Sequence, residues 1–144
     1  MDLALAEADK AAARGEVPVG AVLVDGVSGR VLAMAGNRTE ELADPTAHAE
    51  ILAIRAAAEA RGEPRLPDCD LYVTLEPCAM CAAAISFARI RRLYFAASDP
   101  KGGAVEHGPR FFAQGTCHHA PEVYGGIGES AAAEMLKAFF QARR

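Results

Sequence analysis

A chain of 144 residues, 51% of them hydrophobic, suits one domain around one core and excludes intrinsic disorder. No apolar run is long enough to span a bilayer, so no membrane partner is expected. Fifteen basic against nineteen acidic side chains leave a net charge of −4, which argues against a broadly basic nucleic-acid-binding surface while leaving room for a local basic patch.

Residues 3–14 are alanine-rich with near-helical spacing and stop at Gly15, which predicts a first helix. The start, Met1 to Ala4, carries no basic n-region, so no signal peptide is expected and the cytoplasm is the expected compartment. Apolar runs at 19–24 and 31–35 flank a D-G-V-S-G turn at 25–29, the pattern of a β-hairpin. After a polar loop at 37–45, residues 47–60 read as a helix with Thr46 as a candidate N-cap. Residues 71–75 form the clearest strand, and Pro77 is placed to start a short helix running to Phe87. A further strand is expected at 91–96, then a loop at 98–108. Residues 111–128 resist assignment. Residues 129–144 read as a closing helix with Ala132, Met135, Leu136, Phe139 and Phe140 on one face. The alternation of strand and helix gives an α/β sandwich on one sheet, with residues 1–144 expected to form a single domain.

The chemistry is concentrated in His48-Ala49-Glu50 and Pro77-Cys78-Ala79-Met80-Cys81. One imidazole and two thiolates fill three corners of a zinc tetrahedron and leave a fourth for water. Cys78 and Cys81 lie three residues apart and therefore share a helix face. Helix N-termini at both segments favour thiolates. Glu50 is not required as a ligand and is free to take and return protons. Either segment alone is weak evidence. Together, in this order and with Pro77 before the first cysteine, they point to a hydrolytic zinc site. A purely structural zinc site needs a fourth protein ligand, for which Cys69, His107, Cys117, His118 and His119 are the candidates. Four cysteines are too sparse for a disulfide framework, and Cys69 reads as a buried reduced thiol at a strand start. Cys117 to His119 also allows a second metal, without a partner motif to support it.

H-x-E followed by P-C-x-x-C is the known signature of zinc-dependent nucleobase deaminases. The match runs further. EVPVGAV at 16–22, GNR at 36–38, DPTAHAE at 44–50, LYVTLEPC at 71–78, DPKGGA at 99–104 and FFxxRR at 139–144 all resemble the bacterial tRNA-specific adenosine deaminases, over nearly the whole chain. The resemblance implies a cytidine-deaminase-like three-layer α/β/α sandwich with a five-stranded mixed sheet. It implies a homodimer with one Zn2+ per subunit. It also implies conversion of the wobble adenosine of a tRNA anticodon stem-loop to inosine, with release of ammonia. His48, Cys78 and Cys81 resemble the zinc ligands and Glu50 the proton shuttle. By the same resemblance Asn37 holds base and ribose, the Ala49 N–H reads the base, and Asp99 and Lys101 contact neighbouring nucleotides.

Phe139 and Phe140 cannot both face inward on one helix, so one is expected in the core and the other free to stack on a loop base. With Arg143 they complete the candidate substrate contacts. Arg89, Arg91 and Arg92 form the densest internal basic cluster, read as a solvated strand entrance or a phosphate contact. Two rival functions remain at this point. One is deamination of a free base or nucleoside (guanine, cytosine or cytidine). The other is a non-catalytic zinc-stabilised binding protein in which Glu50 is dispensable.

Overall fold

Alanines at 4, 8 and 11 give helix α1 (Asp2–Ala13) a small, smooth face, and all three are fully buried. They lie on the hairpin of β1 (Gly20–Asp25) and β2 (Val31–Gly36), where Gly20 pairs with Gly36. A Cβ at Gly20 would collide with the α1 backbone at Ala4, so glycine is required there for the helix to seat. The remaining elements are α2 (Ala49–Arg61), β3 (Cys69–Leu75), α3 (Ala79–Phe87), β4 (Arg92–Ala97), β5 (Glu122–Tyr124) and α4 (Glu129–Gln141). The computed structural model describes all residues, 1–144.

The sheet order is β2-β1-β3-β4-β5. β1 is antiparallel to both neighbours, whereas β3–β4 and β4–β5 are parallel, so the sheet is mixed. Strand alternation sends Leu71, Val73, Leu93 and Phe95 to one face, where they pack with Ala49, Ala53 and Ala57 of α2 and Ile85 of α3. On the other face Ala96 packs with Ala132 of α4, Leu5 of α1 and Leu136 of α4. The result is the three-layer α/β/α sandwich. Burying a side chain such as Phe95 contributes roughly 1.5–3 kcal/mol each. On the α1/α4 face, register stacks Tyr72 on Tyr94 and Tyr94 on Tyr124, with ring centroids 4.5 and 5.0 Å apart.

Two local expectations change, and one open stretch is filled. The N-cap of α2 is His48, in extended conformation, and not Thr46. The Thr46 hydroxyl and amide both donate to Asp44 Oδ1, at 2.7 and 2.8 Å, so that side chain closes a local turn instead of a helix end. Likewise Cys78 is the N-cap of α3, and Pro77 stands just outside the helix, continuing the extended path off β3. The unassigned stretch holds a 3-10 turn, Phe111–Ala113, and the edge strand β5, whose three residues are too short for a periodic signal.

Candidate active site

Parallel pairing of β3 and β4 places α3 immediately after β3, while α2 enters from the hairpin side. Both helices therefore begin at the same end of the sheet, and their N-cap residues meet there. His48 Nδ1 lies 3.7 Å from Cys78 Sγ and 3.5 Å from Cys81 Sγ, and the three donor atoms fall within 4.8 Å of one another. Tetrahedral zinc with ordinary bond lengths separates N from S by about 3.5 Å and S from S by about 3.8 Å. The cluster fits that ion. The proposed fourth ligands lie elsewhere. Cys69 is buried at the start of β3, His107 is bonded to Glu76, and Cys117 and His119 engage Ser86 and the Ile90 carbonyl. The three-donor set thus leaves one corner to solvent or substrate.

The electrostatics follow from packing. The Cys81 thiol donates to Cys78, and His48 and the Cys81 amide add to it, which pulls Cys78 down to about 4. Cys81, holding the shared proton in a buried position, is raised. His48 is raised through its contact with Cys78. A dication replaces these protons and frees both thiolates. Glu50, in the first turn of α2, is only 4% exposed and lines the same pocket as His48 and Cys78. Burial pushes its carboxyl up to about 7, with the Cys78 charge adding to the shift. A buried carboxyl beside the cluster is placed to accept and donate protons.

The pocket over this cluster has a volume of about 270 Å³ and is walled by Val17, Val19, Asn37, Leu75 and Asp99. It adjoins an outer pocket of about 760 Å³ that carries Lys101, Phe140, Arg143 and Arg144, the two sharing Val17, Leu75 and Asp99. Asn37 and Asp99 thus line the inner pocket, and Asp99, Lys101, Phe140 and Arg143 the outer one. Two expectations are corrected. The Ala49 N–H donates to Asn37 Oδ1 at 2.8 Å, so it is already satisfied and fixes Asn37 instead of facing the base. Phe139 is 9% exposed and lies beneath the Arg143 guanidinium, 3.4 Å from its ring centroid, so it is the inward member of the pair. Phe140, at 49%, is the outward one.

The arginine cluster is used internally. Arg91 pairs with Asp70 at 2.8 Å, Arg92 with Glu122 at 2.9 Å, and Arg89 caps the Ser86 carbonyl at the end of α3.

Sequence reasoning missed two buried carboxylates. Glu16, 1% exposed, accepts from the Glu40 and Glu41 amides and the Thr39 hydroxyl, which ties down the 37–47 loop. Glu76, 2% exposed, does the same for the loop after β4. Burial alone would raise both, but the converging donors outweigh it and hold both carboxyls below their ordinary range. The signal available was a lone Glu against an apolar strand in each case.

Fold and site together define a zinc-dependent deaminase. Residues 1–97 match the cytidine and deoxycytidylate deaminase zinc-binding region. A tRNA-specific adenosine deaminase of Agrobacterium fabrum is 67% identical over all of this chain and 93% of its own length. A solved structure of a tRNA:A34 deaminase is 69% identical over 94% of this chain and 97% of that one, with a TM-score of 0.92. A guanine deaminase from Bacillus subtilis is similar over 67% of this chain and 61% of its own, at 39% identity and a TM-score of 0.63. The chain belongs to the tRNA-specific adenosine deaminase family of zinc-binding deaminases.

Proposed function

We propose that residues 1–144 act as one deaminase domain that converts the wobble adenosine of a tRNA anticodon to inosine, releasing ammonia. The enzyme works in the cytoplasm as a homodimer, with one zinc per subunit held by His48, Cys78 and Cys81. Bound zinc supplies the Lewis acid that makes water nucleophilic near neutral pH. Glu50 accepts a proton from the water that adds to C6 of adenine and delivers one to ring N1. It then takes the remaining proton from the C6 hydroxyl and passes it to the departing amine, so the water's oxygen remains on C6 as a carbonyl and nitrogen leaves as ammonia. An anticodon loop is already single-stranded, so presenting the base costs at most a few kcal/mol.

The observation that carries the choice of adenosine is the likeness over the full chain to tRNA-specific adenosine deaminases, together with the three-donor site. Asn37 Oδ1 is taken by Ala49, which leaves the Asn37 NH2 as a donor on the wall. Glu76 is saturated by loop donors, and Asp99 Oδ1 accepts from the Lys101 and Gly102 amides. Adenine presents ring acceptors to such a wall. Zinc-loaded protein incubated with an anticodon stem-loop bearing wobble adenosine is expected to form inosine. Deamination of free guanine, cytosine or cytidine with none of the RNA would overturn this reading.

A further inference from the structure

Glu76 links the last residue of β3 to the zinc ligands, and its carboxylate collects five donors from one loop. Oε1 accepts from the Asp99 N–H at 3.1 Å and from His107 Nδ1 at 2.8 Å. Oε2 accepts from the consecutive amides of Val105, Glu106 and His107, at 3.2, 3.0 and 3.2 Å. The loop closes tightly around that group: a Cβ at Gly103 would collide with the Glu76 carboxylate. The Ala104 N–H donates to the Pro77 carbonyl at 2.9 Å, so the same loop is laced to the segment leading into Cys78. The loop in turn carries Asp99, which stands between the inner and outer pockets, and Lys101, which lines the outer one.

We propose that Glu76 is a positioning residue for RNA. It fixes the 99–107 loop as the wall that seats the nucleotides beside the target base. This inference rests on the proposed tRNA substrate. Glu76 lines the inner pocket two residues before Cys78 but is not one of the three metal donors. The donors that Glu76 gathers are all loop amides and one loop imidazole, while His48, Cys78 and Cys81 are held by α2 and α3. A neutral amide in its place keeps one acceptor but turns an NH2 toward donors, so the loop is released without removing a ligand.

The test uses the zinc-loaded full chain and two variants, E76Q and G103A, the second of which leaves the carboxylate in the sequence but brings a Cβ against both that carboxylate and the Asp99 carbonyl. Zinc per chain, kcat and KM on the wobble-adenosine stem-loop, and amide exchange at Val105–His107 are read for each. Both variants are expected to keep one zinc and a kcat within about three-fold of the parent. Both are expected to exchange those amides faster and raise KM by about ten-fold or more. Should E76Q fail to accumulate folded, E76D, which keeps the charge but withdraws it from the loop amides, carries the same comparison. Faster exchange with unchanged KM overturns the inference, as does a fall in kcat at constant KM. Absence of inosine with the parent protein overturns the substrate reading itself, and is seen before any variant is made.

Discussion

His48, Cys78, Cys81 and Glu50 sit where two helices begin, whereas Asp99, Lys101, Phe140 and Arg143 sit on a loop and at the end of α4. The first set is half-buried to buried and backed by the main core, with Ala49, Ala53 and Ile85 packed beneath it. The second is largely exposed and depends on anchors outside itself, Glu76 for the loop and the inward Phe139 for the last turn of α4. Groups that form and break bonds need sub-ångström placement, which helix starts on a packed sheet provide. A surface that grips RNA tolerates more play and is assembled from loops.

That contrast breaks most visibly at the floor. Cys78→Ala is expected to lose zinc and all measurable turnover, and to lower the unfolding temperature, because metal binding and folding are linked. Zinc analysis with thermal unfolding checks it. Glu50→Ala should keep zinc yet lower kcat by about 10²–10⁴-fold. Undiminished turnover there would identify a different proton shuttle and revive the non-catalytic reading.

The anchors give intermediate effects. Glu16→Gln is expected to cost about 1–3 kcal/mol in denaturant unfolding at neutral pH, since its donors lose a charged acceptor. The sign with pH follows from the lowered carboxyl. The folded protein holds Glu16 ionised below its ordinary value of 4.5, so the stabilisation is full above that pH and is lost as pH falls through the folded value. The gap between parent and E16Q should therefore close on acidification; a gap that widens below pH 4.5 would contradict the assigned anchor. Smallest is the rim. Phe140→Ala should raise KM for the stem-loop about ten-fold with kcat preserved, the loss of one stacking contact of roughly 1–3 kcal/mol. A change in kcat instead would move Phe140 from rim to floor.

The parts of the molecule differ in how legible they were. H-x-E and P-C-x-x-C are short local patterns, and chemistry constrains each residue type, so the metal-donor cluster could be read before any fold was known. Helices and the long strands were legible for a similar reason: periodicity and breakers lie within a few residues of each other. β5 was not, because three residues on a sheet edge hold no period and pair only through β4. Thr46 misled because a hydroxyl at a helix start and one in a local turn look alike in sequence, and Asp44 decided between them. The Ala49 amide misled because its partner, Asn37, lies twelve residues away.

Sequence alone determined the metal, its three-donor cluster and the layered α/β plan, since each depends on residue identity and short spacing. Tertiary structure decided which groups remain free to meet a substrate. It turned Phe140 outward and Phe139 inward, satisfied the Ala49 amide, and drew Glu16 and Glu76 under distant loops. The physical reason is that a donor or acceptor is available only if no other group has taken it, and the competitors arrive from elsewhere in the chain.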